Sequence, residues 1–432
     1  MQSSRMPELS YVHSVSLMNH SPRLWTVVGC SLLVASLGAG ATACGSGDKN
    51  PLSARPYDAG EQISFNQAAG GRPVDPDKPF EVTAKAGKGR ITDVMVVDTH
   101  GRRLAGELSA KGDRWHNTVP MAAGVRYAVT VHTENSEGAP GQRTAAFETT
   151  PAKGVLKVEF GPDEGKYGVG QPITAELSEP VKDKAARAVI ERGLVVTAPS
   201  GVEGAWHWVD DKKLHYRPKD YWPANIEVSV QSNLEGVRVG DHLYGAAAKP
   251  LKLEIGDRVE VTTDASSHYL TFRRNGEVIN TIPVTTGKPG FSTRNGVKVV
   301  LGKQYFVQMR GDTVGIGGSE YYNLPVYYAT RVTWSGEYVH AAPWSVGSQG
   351  YENVSHGCTG MSTGNAAWFY ENITEGDVVR VINSIGDDMD IFGNGFGDWN
   401  MDWKDWREGS ALLKGTQEGR NAIDQARLRP TV

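Results

Sequence analysis

Short segments in which apolar and polar side chains alternate, between about residues 76 and 252, constrain this chain most. The stretch "YAVTVHT" places Tyr127, Val129 and Val131 on one face, and "NIEVSVQ" does the same with Val228 and Val230. A period of two is typical of a β-strand that buries one face. Turn-forming stretches such as "EGAPG" and "APSG" separate these runs. The pattern therefore predicts a mainly β chain.

Two successive small β-sandwiches account for this pattern, over residues 76–150 and 151–252, with a break near Pro151 to Gly154. The stretch "VKDKAARAVIERG" is a candidate helix in the second of them. A third region, residues 253–384, again reads as strand, turn and strand, and Asn275 and Gly276 supply a hairpin turn. Ser362 is predicted to cap a helix through "NAAWFYENI".

Residues 385–432 are predicted to form a C-terminal extension with a short helix. Trp399, Trp403 and Trp406 are spaced by four and three residues, which places them on one stripe of a helix. A tryptophan stripe is more often used for packing than for sugar stacking. We therefore expect the extension to pack on the third domain.

The N-terminus predicts export from the cell. Residues 24–43 form an apolar and small-residue run that follows Arg23 and ends in "GATAC", the order expected of a secretory signal. The last residues resemble a bacterial lipobox, so residues 1–44 are interpreted as a signal peptide and Cys44 as the lipidated residue. An uncleaved membrane anchor is the alternative. Residues 45–75 are poor in large apolar side chains, which predicts a flexible tether.

The position of the cysteines indicates a reactive thiol. The chain has three cysteines, and Cys358 is the one outside the N-terminal segment, so it has no disulfide partner in the folded part. No short-spaced set of Cys and His predicts a metal site. The polar and small neighbours in "NVSHGCTGMS" favour a nucleophile over a core thiol. His340 and His356 are both candidate bases, and spacing alone leaves the choice open. The net charge of -4, with both signs interspersed, predicts no nucleic-acid partner.

The stretch "YVHAAPWSVGSQGYENVSHGC" resembles the active-site region of L,D-transpeptidases, cysteine enzymes with a YkuD-like catalytic domain. "NAAWFY" and "GDWNMDWKDWREG" resemble the mycobacterial lipoprotein-type enzymes, as does the order of lipobox, two sandwiches and catalytic region. The resemblance implies two immunoglobulin-like domains followed by a YkuD-like domain over residues 253–384. It also implies a location in the cell envelope, anchored by lipid on the outer face of the plasma membrane.

The resemblance also implies roles for individual residues. Cys358 matches the nucleophile and His340 the general base and acid, while the main-chain carbonyl of Ala341 would orient His340. The N–H groups of Gly357 and Cys358 would form the oxyanion hole. Tyr322 matches a flap tyrosine near the substrate, and the neighbouring Tyr321, Tyr327 and Tyr328 are alternatives. The residues expected to bind substrate are Tyr322, Ser335, Gly336, Ser355, His356 and Gly360.

The implied reaction is the formation of 3-3 cross-links between peptidoglycan stem peptides, through a cysteine thioester and with release of D-Ala. No metal and no organic cofactor are implied, and β-lactams of the carbapenem class are expected inhibitors. Two alternatives remain: a hydrolase that uses the same residues, and a non-catalytic wall-binding lipoprotein. Thr359 and Gly360 depart from the family pattern, in which an apolar residue and Asn or Arg are usual. This departure predicts a slower enzyme that asparagine at position 360 would accelerate.

Overall fold

The computed structural model describes residues 55–67 and 72–412. The predicted signal peptide, the lipidated Cys44 and residues 413–432 of the extension lie outside the described residues. In the described part, no helix is long and apolar enough to cross a membrane. Strands dominate these residues, so the prediction of a mainly β chain is confirmed.

The first sandwich consists of two four-stranded sheets with strand orders β1-β8-β7-β4 and β2-β3-β6-β5. Tyr127, Val129 and Val131 point into its core, as their alternation predicts. Phe80 and Trp115 pack beside them. The strands are β1 Tyr57–Asp58, β2 Ile63–Phe65, β3 Glu81–Ala84, β4 Arg90–Asp98, β5 Gly106–Leu108, β6 Arg114–Asn117, β7 Arg126–Glu134 and β8 Pro140–Glu148.

Part of the predicted tether belongs to this sandwich, which corrects the boundary at residue 75. β1 pairs with β8 and β2 pairs with β3. Ile63 and Val74 are almost completely buried, and the Val74 N–H donates to the Glu148 carbonyl at 2.7 Å. The composition of residues 45–75 hides this because the few large apolar side chains, such as Ile63 and Val74, are too widely spaced to give a periodic signal. They fold because a preformed sheet supplies their partners.

The second sandwich consists of two four-stranded sheets, β10-β12-β15-β14 and β11-β19-β16-β13, and a smaller sheet β17-β18-β9. Its core includes Trp206, Trp222, Val228 and Val230. A helix, α1 Lys184–Gly193, begins where the Asp183 side chain accepts a hydrogen bond from the Ala186 N–H. The strands are β9 Gly154–Leu156, β10 Val158–Gly161, β11 Gly165–Tyr167, β12 Ile173–Leu177, β13 Leu194–Thr197, β14 Gly204–Trp208, β15 Lys213–Pro218, β16 Ile226–Ser232, β17 Arg238–Gly240, β18 Leu243–Gly245 and β19 Leu251–Ile255.

The third domain contains a five-stranded sheet, β22-β21-β20-β28-β23, and a four-stranded sheet, β24-β25-β26-β27. The strands are β20 Val259–Asp264, β21 Tyr269–Arg274, β22 Glu277–Pro283, β23 Gly296–Val299, β24 Gly302–Arg310, β25 Asn323–Arg331, β26 Tyr338–Ala341, β27 Thr359–Met361 and β28 Val378–Ile382. Asn275 and Gly276 form the β21–β22 turn with φ of 52° and 90°, which is the left-handed conformation that a tight hairpin needs. The helices are α2 Thr363–Asn372 and α3 Trp403–Glu408.

The C-terminal extension packs on both the third domain and the second sandwich. The Ser335 N–H donates to the Asn394 side chain and the Val297 N–H to the Asn400 side chain, as a packing surface on the third domain requires.

The tryptophans of the extension instead cover the second sandwich. Three tryptophans, Trp399, Trp403 and Trp406, surround the guanidinium of Arg217 at 4.9, 5.4 and 4.5 Å from their ring centres. Trp406 also donates from Nε1 to the Ala205 carbonyl. We call Arg217 with these three rings the aromatic clamp. For the tryptophans, the prediction of packing on the third domain is wrong, because a stripe shows that a helix has a buried face but not which neighbour covers it.

Candidate active site

The pairing of β26 with β27 brings Cys358 and His340 to one cavity. The two strands are parallel, and His340 lies opposite Gly360, so Cys358 precedes β27 beside the start of β26, next to Tyr338. Both side chains line a cavity of about 270 Å³. Depressions of about 660 and 940 Å³ lie on the second sandwich, but neither histidine nor cysteine lines them. Of these three, the cavity at Cys358 is therefore the one lined by both a thiol and an imidazole.

His340 is buried, and one of its nitrogens has a fixed partner. Its Nδ1 lies 2.8 Å from the main-chain oxygen of Ala341. Because a carbonyl oxygen can only accept, Nδ1 carries the proton and Nε2 is left as an acceptor. Burial lowers the pKa of His340, and the hydrogen bond to Ala341 opposes this shift. The neutral imidazole is therefore the resting form at neutral pH, as a proton acceptor requires.

Cys358 is partly buried and its thiol is protonated at rest. Sγ lies 3.6 Å from the main-chain oxygen of Gly336. Burial raises the pKa of Cys358 to about 12, and the main chain of Tyr338 opposes this shift. Helix α2 begins five residues further on, at Thr363, beyond the range in which a helix dipole stabilises a thiolate. The thiol therefore needs a base to become a nucleophile.

Ser355 holds the turn that carries the nucleophile. Its hydroxyl donates to the Cys358 carbonyl at 2.6 Å and accepts from the Gly357 N–H at 3.1 Å. Gly357 has a φ of 117°, a backbone conformation in which a residue with a side chain would be strained. The Gly357 N–H, predicted as an oxyanion-hole donor, is thus occupied by Ser355 in this structure. The Gly357 N–H can donate to an acyl oxygen only after its hydrogen bond to the Ser355 hydroxyl has broken.

Tyr322 and His356 form one wall of the cavity. Their ring centres are 5.2 Å apart, and both residues line the cavity, whereas Tyr321 is largely exposed. His356 donates from Nε2 to the Glu320 carboxylate at 2.7 Å, and Lys288 binds the same oxygen at 2.7 Å. His356 therefore fastens the segment before Tyr322 to the turn that carries Cys358.

Gly360 lies in the cavity wall and has little space around it. A Cβ atom built on Gly360 would lie 2.9 Å from the Ala342 Cβ and 3.2 Å from the Thr285 Cγ2. Real Cβ atoms essentially never show a contact below 3.0 Å, so any side chain would displace the neighbouring strand. The expectation that asparagine would improve this position is therefore unsupported, because a glycine is required by close packing.

Ser335 and Gly336 were predicted to bind substrate, but they do not line the cavity. Gly336 has a φ of 102° and closes the turn before β26, so that its carbonyl faces the thiol. The Ser335 hydroxyl lies 3.1 Å from the Thr333 hydroxyl. Both residues belong to the turn before β26, and Gly336 contacts Cys358 through its main chain.

Sequence reasoning missed several residues of the site. Trp344 lines the cavity mouth, half-exposed, with its ring centre 6.1 Å from that of His340. Its signal was the stretch "APWSVGSQG", in which no single residue was assigned. The other unassigned lining residues are Thr285, Met309, Leu324, Val326, Ala342, Ser345 and Val354. These residues give no local signal because five separate segments of the chain bring them together.

The site contains no arrangement suited to a metal. Within residues 55–67 and 72–412, no group of three or more His, Cys, Asp and Glu side chains could hold a metal ion. The reactive groups are a thiol, an imidazole and main-chain polar groups around the cavity. This arrangement has what covalent acyl transfer requires: a nucleophile, an adjacent base and a group that orients the base.

Comparison with known proteins gives the same class. Residues 258–381 match the family model of the L,D-transpeptidase catalytic domain, and residues 72–238 match that of a bacterial Ig domain. L,D-transpeptidase 2 of Mycobacterium tuberculosis is 33% identical over 88% of this chain and 94% of its own length. L,D-transpeptidase 1 of the same species is 39% identical over 54% of this chain and 86% of its own length.

A solved LD transpeptidase in complex with imipenem is 37% identical, with a TM-score of 0.46, over 52% of this chain and 99% of that one. On the sequence matches, the chain belongs to the L,D-transpeptidase family. It is an enzyme of the cell wall that acts on peptidoglycan, and it carries bacterial Ig sequence ahead of its catalytic domain.

Proposed function

We propose that this enzyme forms 3-3 cross-links in peptidoglycan by a thioester mechanism with Cys358 as nucleophile. The observation that carries the proposal is the shared cavity of Cys358 and His340, with Nδ1 of His340 bound to the Ala341 carbonyl. That hydrogen bond leaves Nε2 as the nitrogen able to accept the thiol proton. The raised pKa of Cys358 makes such a base necessary at neutral pH.

In the first half-reaction, His340 takes the thiol proton while Sγ attacks the carbonyl carbon of the third residue of a donor tetrapeptide. The tetrahedral intermediate collapses, the bond to D-Ala breaks, and His340 returns the proton to the departing amine. The enzyme then carries the stem as a thioester. Main-chain N–H groups of the Gly357–Cys358 turn stabilise the oxyanion once Ser355 releases the Gly357 N–H.

In the second half-reaction, the side-chain amine of another stem attacks the thioester and His340 accepts its proton. The new amide is the cross-link, and the thiol is restored. Tyr322, His356 and Trp344 line the cavity on the path to Cys358, so they are the side chains in position to contact the stem peptides. No metal or organic cofactor takes part in these steps.

The decisive experiment incubates the protein with disaccharide tetrapeptide and separates the products by chromatography. We expect a cross-linked dimer together with free D-Ala, and Cys358→Ala should remove both. Tripeptide without dimer would instead identify a hydrolase. A folded Cys358→Ala protein that retains more than a few per cent of the activity would rule out the nucleophile.

Reaction with a carbapenem measures the reactivity of the Cys358 thiol independently of peptidoglycan substrates. Intact-mass analysis should show one covalent adduct on the wild-type protein and none on Cys358→Ala. Absence of both product and adduct would favour a non-catalytic wall-binding protein.

We also propose that residues 1–44 are a signal peptide and that lipidated Cys44 anchors the enzyme on the outer face of the plasma membrane. The apolar run, the lipobox-like ending and the peptidoglycan substrate support this location. Cys44→Ala should abolish incorporation of a labelled fatty acid and release the protein from the membrane fraction. Retention without label would support an uncleaved anchor.

A further inference from the structure

Three charged side chains lie behind Cys358, on the side away from the cavity. Lys298 of β23 is completely buried, and its Nζ contacts the carboxylate of Glu337. Arg294 binds the other oxygen of Glu337 through Nη1 at 3.0 Å and through its main-chain N–H at 3.1 Å. We call these residues the Lys298–Glu337–Arg294 cluster. None of them lines the cavity, and the mechanism above does not use them.

The cluster adjoins the main chain that contacts the nucleophile. Glu337 lies between Gly336, whose carbonyl oxygen is 3.6 Å from the sulfur, and Tyr338, whose main chain also hydrogen-bonds to the thiol. Glu337 also approaches the nucleophile turn, since a Cβ built on Gly357 would lie 4.0 Å from its Cγ. The carboxylate thus fixes the segment on which the thiol rests.

The charges of the cluster act on the sulfur in opposite directions. The carboxylate of Glu337 raises the pKa of Cys358, and the ammonium of Lys298 lowers it. Burial lowers the pKa of Lys298, and Glu337 opposes that shift. The lysine and the glutamate therefore oppose one another in their effect on the thiol pKa.

Stability alone gives a weak reason for such a cluster. Removing a lysine and a carboxylate from water is costly, and apolar residues of similar volume often stabilise a core equally well or better. The cluster lies next to a thiol on which negative charge develops during the reaction, and this location gives a different reason for its presence. A fixed charge close to the sulfur changes how easily the thiolate forms.

We propose that Lys298 and Glu337, supported by Arg294, are positioning residues for Cys358, which hold the segment behind the thiol and set the electrostatic potential at its sulfur. The proposal rests on the proposed function only in taking Cys358 as the nucleophile. Other titratable groups that face the site are Tyr322, Tyr338, His340, His356, Lys288 and Glu320. They stay unchanged in the variants below.

The test measures the rate at which iodoacetamide alkylates Cys358 between about pH 7 and pH 10, below the pKa of the thiol, where the thiolate fraction rises about tenfold per pH unit. The midpoint of this alkylation profile is defined as the pH at which the rate reaches half of the wild-type rate at pH 8.5. The full-length chain is used in detergent, and mass spectrometry of the peptide that contains Cys358 separates this thiol from Cys30 and Cys44. Lys298→Met removes the buried positive charge with little change of volume. We expect the midpoint of the alkylation profile to move to higher pH by about one pH unit, since a charge of this kind shifts a neighbouring pKa by roughly one to three.

The double variant Lys298→Met/Glu337→Gln removes both charges, so the midpoint should move most of the way back towards the wild-type value. If the cluster had only a structural role, the second substitution would disturb the site further, and the midpoint would move further from the wild-type value. Lys303→Met is the matched control: Lys303 is a partly buried lysine of β24 that binds the Ile373 carbonyl, and its replacement should leave the midpoint unchanged.

An unchanged midpoint in folded Lys298→Met, or a double variant displaced further in the same direction, overturns the proposal. If Lys298→Met does not fold, Arg294→Gln gives the same readout, because Arg294 is partly exposed and its loss leaves Glu337 less neutralised. A smaller shift to higher pH is expected there, and no shift would overturn the proposal. Alkylation needs no stem peptide, so these outcomes are independent of whether the enzyme cross-links peptidoglycan.

Discussion

His340 at the cavity and His207 in the second sandwich have nearly the same local geometry. Each is buried, each holds a main-chain oxygen at 2.8 Å from Nδ1, and burial lowers the pKa of each. They differ in what lies beyond the ring. His207 packs between the rings of Trp406 and Phe392, at 4.7 and 5.1 Å, whereas His340 borders a cavity shared with Cys358.

The same contrast separates the tryptophans of the two regions. Trp406 is completely buried against Arg217, while Trp344 is half-exposed at the mouth of the cavity. An oriented imidazole or an aromatic ring therefore does not by itself make a reactive site. What distinguishes the cavity is free space between a nucleophile and a base, and the following variants test this distinction.

The largest effect is expected for His340→Ala. Loss of a general base reduces rates by about 10²- to 10⁴-fold, so carbapenem acylation should fall by that factor. The matched variant His207→Ala should leave acylation of the folded protein near the wild-type rate but lower its thermal stability. Stopped-flow fluorescence and calorimetry measure the two properties. Equal rate losses in both variants would contradict the contrast.

Trp406→Ala should produce the largest loss of stability. The residue is completely buried, packs on Arg217 and donates to Ala205, so its truncation should cost about 3 to 5 kcal/mol of unfolding free energy. Denaturant titration provides the measurement, with half-exposed Trp334→Ala as control. Comparable losses in the two variants would show that the aromatic clamp contributes little to folding.

Glu191→Gln should change how stability depends on pH. Glu191 accepts hydrogen bonds from Ser410, Ala411 and Trp208, yet burial raises its pKa to about 7 from 4.5. The folded state therefore binds this proton more tightly than the unfolded state does. The stability that the proton contributes is fully present below about pH 4.5 and is lost as the pH rises through 7.

The unfolding free energy of Glu191→Gln, relative to wild type, should therefore increase by about 3 kcal/mol between pH 5 and pH 8. Comparing the two proteins at each pH removes the contributions of the other titrating groups. A difference that stays constant with pH would show that Glu191 titrates normally.

Gly360→Asn should slow the enzyme instead of accelerating it. The new Cβ would meet the Ala342 Cβ at 2.9 Å, and overpacking of this kind costs about 1 to 3 kcal/mol. Both thermal stability and acylation rate should fall. A faster rate with unchanged stability would restore the view that glycine is a handicap at this position.

The smallest effect is expected for Glu320→Gln. Glu320 joins Lys288 and His356, but all three side chains are only partly buried, and ion pairs that solvent reaches contribute little. Acylation should change by no more than about fivefold, and less at high salt because ions screen the interaction. A loss as large as that of His340→Ala would make this contact part of the catalytic machinery.

Local patterns predicted several elements well. The alternation in "YAVTVHT" predicted β7, Ser362 was correctly expected to cap α2, and the turn at Asn275 and Gly276 formed as expected. In β22, by contrast, a bulge opposite Phe272 and Arg273 changes the register and leaves Val278 exposed. The sequence does not show this bulge, because a strand's register is set by its neighbour.

The sequence by itself determined which kind of enzyme this is, and it predicted Cys358 as the reactive thiol. One cysteine outside the N-terminal segment and the stretch around His340 carry that information, since both are local. Only the tertiary structure decided that Ser355 occupies the Gly357 N–H, that Gly360 has no room for a side chain, and that the tryptophans of the extension close on Arg217. The partners in these contacts come from different strands and turns, and Arg217 is almost 200 residues away from the tryptophans that cover it. Packing between such segments depends on how the sheets meet, which the spacing of residues along the chain does not encode.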